Sequence, residues 1–188
     1  MNRTEPIRDE DKLADFLGYY AGLGRHRDNL LVNMGVRAAL SAGDLLKLRM
    51  GDAWDFEGGR VKSRIRLTEG RTGRARVVVL RGGAREALRP SLESLAAGAG
   101  PESPLFANAE TGRPLSRSQA HRIIAKAAAA AGIPHRVSST SLRKTLGWRA
   151  WRDADPHAEL MDIYSRRSHE AAKSYLCAGR GRAQGEEA

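Results

Sequence analysis

Two arginines stand out because each lies in a segment that is otherwise rich in apolar residues. Arg37 is in NMGVRAALSAGDLLKLR, at the end of a helical pattern, and Arg143 is in SSTSLRKTLGWRAW. Burying an unpaired guanidinium is costly, so each side chain must have a partner or face a polar cleft. Two arginines from distant segments can hold one phosphate through bidentate hydrogen bonds. The alternative for Arg37 is a structural ion pair with Asp44.

A tyrosine close to the C-terminus is the third candidate for chemistry. Tyr175 lies in SRRSHEAAKSYLCA, after a basic turn. Its side chain could pack in the core, contact a phosphate or act as a nucleophile. A phenol of pKa ~10 is only about 0.1% ionised at pH 7, so a nucleophilic tyrosine needs nearby positive charge to lower its pKa. The segment alone leaves all three roles open.

The charge balance favours a polyanionic partner. The 188 residues include 32 Lys and Arg against 22 Asp and Glu, a formal net charge of +10. Such an excess indicates nucleic acid as the first candidate, and the alternative is a basic protein without such a partner. A single cysteine excludes an intramolecular disulfide and a cysteine-cluster zinc site, and the five histidines are scattered, so no metal or other cofactor is expected. No apolar run suits a membrane span or signal peptide, which predicts a cytoplasmic protein.

Most of the chain has helical periodicity. Apolar spacing and end signals predict seven longer helices, and Ser41 is expected to cap a short additional one. The predicted longer helices span 9–23, 28–40, 83–97, 116–131, 140–151, 156–164 and 168–177. We therefore expect a mostly α fold with a small antiparallel β-sheet (α+β). Residues 1–178 are expected to form one domain, followed by a flexible tail over 179–188.

A β-hairpin is predicted where the periodicity changes to two. From Val61, apolar residues alternate with Lys62, Arg64 and Arg66, and RVVVL supplies the returning strand after the turn EGRTGR. The turn requires a positive φ at Gly70 or Gly73. The basic outer face suits a phosphate backbone. It is equally typical of a solvated sheet face.

Four segments, in this order and spacing, closely resemble the catalytic domain of the tyrosine recombinases, the phage integrase family. MGVRAALSAGDLLKLRMGD resembles the first arginine box, LTEGRTGRARVVVL the hairpin with its lysine-bearing turn, TSLRKT the His-x-x-Arg box, and YSRRSHEAAKSYL the closing box with the tyrosine. The resemblance implies a mostly helical domain that cleaves and rejoins DNA through a covalent 3′-phosphotyrosine, without metal or ATP. It also implies assembly as a homo-oligomer on DNA and association with the nucleoid.

The resemblance assigns roles to single residues. Arg37 and Arg143 match the two arginines that cradle the scissile phosphate, and Tyr175 matches the nucleophile. Three positions depart from the family pattern. Arg71 stands at the hairpin lysine, Thr140 at a histidine, and Arg166 at a histidine or tryptophan. We expect these six residues to form the catalytic site. DNA contacts are expected from the nearby cations Lys62, Arg64, Arg66, Arg74, Lys144 and Arg167.

The three departures predict weaker acid–base chemistry. Guanidinium, with a pKa near 13, is a poorer proton donor than an ammonium near 10.4, so Arg71 is a poor general acid. Lys62 replaces it only if the hairpin register brings it to the phosphate. Thr140 can bind a phosphate oxygen but is no base near neutral pH. We therefore expect reduced activity. The alternatives are an impaired DNA-binding relative with a regulatory or accessory role and, last, an RNA-binding or interaction module.

Overall fold

A computed structural model describes residues 4–70 and 73–152 of the chain. Helices dominate this part of the protein and the β structure is antiparallel, which confirms the predicted fold class. None of the described helices is long and apolar enough to cross a membrane. The helices are α1 (Glu10–Gly18), α2 (His26–Arg37), α3 (Ala42–Leu45), α4 (Met50–Ala53), α5 (Gly82–Ala96), α6 (Arg117–Ala130) and α7 (Ser139–Arg152).

The first helix is shorter than predicted. Asp9 caps α1 by accepting a hydrogen bond from the backbone N–H of Lys12, and the helix ends at Gly18 rather than at residue 23. Tyr20 belongs to the turns that follow, yet it is fully buried and its hydroxyl donates to the carbonyl oxygen of Ile123. The apolar spacing extends past the end of α1 because Tyr20, in the turn that follows, also packs in the core.

Helix α2 is the central element of the core. Every residue from Asp28 to Val36 is buried, and the helix packs against α1, α5, α6 and α7. It ends at Arg37, before the predicted end at residue 40, and Ala39 has a positive φ of 49°. The prediction for Ser41 is confirmed, since its hydroxyl accepts a hydrogen bond from the N–H of Asp44 at the start of α3.

The described residues contain two two-stranded antiparallel sheets rather than one. Strand β1 (Trp54–Asp55) pairs with β2 (Arg60–Val61), and β3 (Arg64–Thr68) pairs with β4 (Ala75–Val79). The predicted start of the hairpin strand at Val61 was wrong, because Val61 pairs with Trp54 in the first sheet. The hairpin itself is confirmed. Gly73 has the positive φ of 66° in its turn.

The last described helices agree closely with the prediction. A reciprocal cap between Ser116 and Gln119 starts α6, and Gly132, with φ of 60°, follows its end. Helix α7 then packs on α2. The helices predicted over 156–164 and 168–177, and the tail over 179–188, lie outside the described residues.

Candidate active site

Arg37 is half-buried at the C-terminal end of α2. Its Nε–H donates to the side-chain oxygen of Asn33 at 3.4 Å. Burial lowers the pKa of the guanidinium, and the positive charge of Arg149 lowers it further. Within the described residues no ion pair joins Arg37 to Asp44, so that alternative is wrong. A partly desolvated cation with a like charge beside it favours an anionic ligand.

Arg143 reaches the same region from α7, because α2 and α7 approach unusually closely. A Cβ atom on Gly35 would lie only 2.6 Å from Cδ1 of Leu142, so only glycine permits this contact. Arg37 is two residues from Gly35, and Arg143 is the next residue after Leu142. The contact therefore places the segment of α2 that carries Arg37 next to the segment of α7 that carries Arg143. Arg143 is half-buried there.

The hairpin turn is fixed to the segment that follows Arg37. One carboxylate oxygen of Asp44 accepts the N–H of Gly70 at 2.8 Å, and the other accepts the hydroxyl of Ser41 at 2.6 Å. Asp44 is buried, and both bonds are partly buried, which reduces the competition from water. The acidic residue of the first arginine box thus orients the hairpin turn instead of neutralising Arg37.

Arg76 is a further cation at this site that the sequence analysis did not select. In β4 it pairs across the hairpin with Leu67 and forms an ion pair with Glu69 at 3.3 Å. Burial lowers the pKa of its guanidinium, and the charge of Arg143 contributes to the same shift, while Glu69 opposes it. The charge of Arg143 therefore acts on Arg76. Alternation along β4, with Val78 buried, is the signal that places Arg76 on the inner face.

Two of the other described candidates, Thr140 and Lys62, are both exposed. Thr140 is exposed in the first turn of α7, three residues before Arg143. Lys62 is exposed and donates to the carbonyl oxygen of Gly51. It precedes β3, and Gly70 lies at the opposite end of that strand. At about 3.3 Å per residue, the strand separates Lys62 from the turn by roughly 20 Å. Lys62 is therefore no substitute for a lysine at the turn.

Lys144 lies inside the protein, in contrast to the surface position that a DNA contact requires. Its side chain is only 5% exposed, and its Nζ donates to the carbonyl oxygen of Thr4 at 2.9 Å. Neighbouring Ser141 and Thr145 are also fully buried on α7. The assignment of Lys144 as a DNA contact therefore needs correction, because its ammonium fixes the N-terminal segment to α7.

The exposed face of the hairpin combines cationic and apolar side chains. Arg64 pairs with Val79, and Arg66 pairs with Val77. Both arginines are exposed, and the two valines are 59% and 51% exposed. Arg74 is exposed in the turn. The predicted basic face is therefore present in the hairpin. Four predicted site residues lie outside the described residues: Arg71, Arg166, Arg167 and Tyr175.

Comparisons with known proteins agree with this fold. The model of the Phage integrase family matches residues 9–178. Probable integrase/recombinase YoeC of Bacillus subtilis (strain 168) is 28% identical over 176 residues, 94% of this chain and 91% of YoeC.

Solved recombinase structures share the architecture at low identity. XerA recombinase aligns with a TM-score of 0.72 and 19% identity, over 95% of this chain and 65% of the XerA chain. A lambda integrase dimer bound to a COC′ core site aligns with a TM-score of 0.68 and 16% identity, over 98% of this chain and 51% of that chain. The chain thus spans about two thirds of the XerA chain and about half of the lambda integrase chain. The resemblance derived from the four sequence segments is confirmed.

Proposed function

Because the chain belongs to the phage integrase family, we propose that it is a DNA strand transferase that cleaves and rejoins DNA through a covalent 3′-phosphotyrosine. The observation that carries this proposal is the close contact of α2 and α7 at Gly35 and Leu142. It holds the segments of Arg37 and Arg143 together, and both arginines are half-buried. A phosphodiester accepts bidentate hydrogen bonds from guanidinium groups, so Arg37 and Arg143 suit this ligand.

In the proposed reaction, the oxygen of Tyr175 attacks the scissile phosphorus. The new P–O bond links the tyrosine to the 3′ side of the cut and the bond to the 5′ oxygen breaks. The phenolic proton passes to solvent, and the 5′ oxygen takes up a proton to become a hydroxyl. Arg37 and Arg143 bind the non-bridging oxygens and stabilise the charge that develops on them. A 5′ hydroxyl then attacks the phosphotyrosine and restores the backbone, so no external energy source is required.

DNA binding is assigned to the exposed cationic face of the hairpin. Arg64, Arg66 and Arg74 project from the hairpin, and the whole chain carries a net charge of +10. Phosphate contacts of this kind release counterions and weaken as salt increases. We further propose that the protein acts as a homo-oligomer on double-stranded DNA. The similarity to a lambda integrase dimer bound to a core site supports this arrangement.

A trapping experiment tests the proposed activity. A duplex library with randomised sequence and a nick on one strand, labelled at the 5′ end of the cleaved strand, is incubated with the protein and resolved under denaturing conditions. We expect labelled DNA to stay attached to the wild-type protein and to the matched control Tyr164→Phe. Tyr175→Phe should give no adduct, because it lacks the nucleophilic oxygen.

Two results would change the assignment. An adduct retained by Tyr175→Phe would contradict the role of this tyrosine. The absence of any adduct, with tight and salt-dependent binding of duplex DNA, would favour an accessory DNA-binding protein. That second function is supported by one specific observation, the replacement of expected acid–base residues by Arg71, Thr140 and Arg166.

A further inference from the structure

An ammonium group lies beside the hairpin turn although the turn itself carries arginine. Nζ of Lys47 is 2.9 Å from the position that a Cβ atom on Gly70 would occupy. Lys47 follows α3 and is exposed, and within the described residues it forms no hydrogen bond or ion pair. Its amine is therefore available to a ligand at the start of the turn.

The position of Lys47 is defined by the same contact that fixes the hairpin. Asp44 holds the N–H of Gly70, and its Oδ1 would be 3.4 Å from the same Cβ position. Lys47 lies three residues after Asp44, and its backbone N–H donates to the carbonyl oxygen of Asp44. The lysine thus follows α3, which begins five residues after Arg37. It approaches the turn from outside the hairpin strands.

The absence of a side chain at Gly70 makes this approach possible. Real Cβ atoms essentially never approach another atom to 2.9 Å, so an alanine here would displace the ammonium. Gly70 has no positive φ, in contrast to Gly73, so its backbone conformation does not require glycine. Nζ is the end of a flexible, exposed side chain that can shift at low cost, so the contact places Lys47 at the turn without requiring glycine there.

We propose that Lys47 protonates the leaving 5′ oxygen during strand cleavage, a role that rests on the proposed function above. As the P–O5′ bond breaks, a proton moves from Nζ of Lys47 to O5′, which gives a 5′ hydroxyl and a neutral amine. The amine accepts a proton again when the 5′ hydroxyl attacks in the rejoining step. An ammonium group is a better proton donor than the guanidinium of Arg71, since its usual pKa is lower by about three units.

Arg76 and Arg143 place this amine within the candidate site. Glu69, which precedes Gly70, forms an ion pair with Arg76 at 3.3 Å, and the charges of Arg143 and Asp44 each act on the pKa of Arg76. Lys47 adjoins Asp44 at the same turn. For this role, the four methylene groups of Lys47 must carry its amine from Gly70 to an anion bound by Arg143.

A leaving-group substitution tests this role. Duplex DNA selected by covalent trapping is synthesised with either oxygen or sulfur at the bridging 5′ position of the cleaved phosphodiester. A thiolate leaves without protonation, so only the oxygen substrate needs a general acid. We expect Lys47→Ala to slow adduct formation on the oxygen substrate by about 10²-fold or more, and to restore near wild-type rates on the sulfur substrate.

Three matched variants separate proton transfer from charge and from folding. Lys47→Arg keeps the positive charge, and we expect the same defect and the same rescue as with alanine. Gly70→Ala should also slow cleavage of the oxygen substrate selectively, because it displaces the ammonium. Lys126→Ala, which removes an exposed lysine of α6, should leave both rates unchanged.

The contradicting outcomes are distinct. Equal losses on the two substrates, or a fully active Lys47→Arg, would show that Lys47 supplies only charge or DNA affinity. An unchanged rate in Lys47→Ala would exclude the lysine from the reaction. If the wild-type protein forms no adduct on either substrate, the proposed function fails and this role fails with it.

Discussion

Gly35 in α2 lies directly against Leu142 in α7, with no space for a Cβ atom between them. Both residues are buried, and Leu142 has no exposed surface into which it could shift. The arginines of the two boxes are two residues and one residue from this contact. The spacing of the two helices therefore determines the geometry of the candidate phosphate site.

Gly35→Ala is expected to destabilise the protein by about 1–3 kcal/mol, because the added methyl group overpacks the helix contact. The measurement is the free energy of unfolding in urea. Gly18→Ala is the matched control, since a Cβ atom there meets nothing within 4 Å. In a Leu142→Ala background the cost of Gly35→Ala should disappear. An equal cost in both backgrounds would show that the contact does not limit the approach of α2 and α7.

Asp44 is expected to be essential for the stability of the hairpin turn. Asp44→Ala removes the acceptor for the N–H of Gly70 and for the hydroxyl of Ser41, so both donors lose their charged partner. We expect a loss of about 2–3 kcal/mol in the free energy of unfolding, and faster amide exchange at Gly70. Asp44→Asn keeps one acceptor oxygen and should cost less. Slow amide exchange at Gly70 in Asp44→Ala would contradict this anchoring role.

The exposed hairpin face is expected to contribute to DNA affinity through charge. Changing Arg64 and Arg66 together to alanine should reduce the slope of log K against log salt by about 2, since each arginine makes one phosphate contact. The measurement is a salt titration of binding to duplex DNA. Lys144→Ala should leave the slope unchanged and lower stability instead, because Lys144 is buried against Thr4. A slope that is unchanged in the Arg64 and Arg66 double variant but reduced in Lys144→Ala would exclude the hairpin face as a DNA contact.

Tyr20 predicts a pH dependence of stability. Burial raises the pKa of its phenol to about 12, and the nearby charge of Asp28 acts in the same direction. The folded-state pKa lies above the unfolded value of 10, so the contribution is present below pH 10 and is lost as pH rises towards 12. Tyr20→Phe should be less stable by about 1 kcal/mol at pH 8, through the lost bond to Ile123. The difference in stability between the wild type and Tyr20→Phe should decrease and then reverse sign above pH 10. A difference that stays constant with pH would contradict the raised pKa of Tyr20.

The sequence was sufficient to predict the elements that depend on local patterns. The hairpin, the caps at Ser41 and Ser116, and the mostly helical fold follow from periodicity and end signals. The buried state of Lys144 was not predictable in this way. Its partner Thr4 is 140 residues away, and small polar residues on the buried face of α7 conceal the apolar pattern.

Local patterns also fail for contacts that join distant segments at the site. The bond from Gly70 to Asp44 spans 26 residues, and it determines where Lys47 lies relative to the turn. Arg76 belongs to a basic run in the sequence, and only the strand register shows that it faces inwards. The site candidates that the sequence missed are therefore those whose position depends on tertiary contacts.

The identity of the residue joined to DNA is the most direct test of the central claim. The trapped adduct is digested with nuclease and trypsin, and the peptide that carries a nucleotide is sequenced by mass spectrometry. We predict a 3′-linked nucleotide on Tyr175, in the peptide of residues 174–180. A nucleotide on another residue, or a 5′-linked phosphate, would contradict the assignment of this chain as a DNA strand transferase that acts through Tyr175.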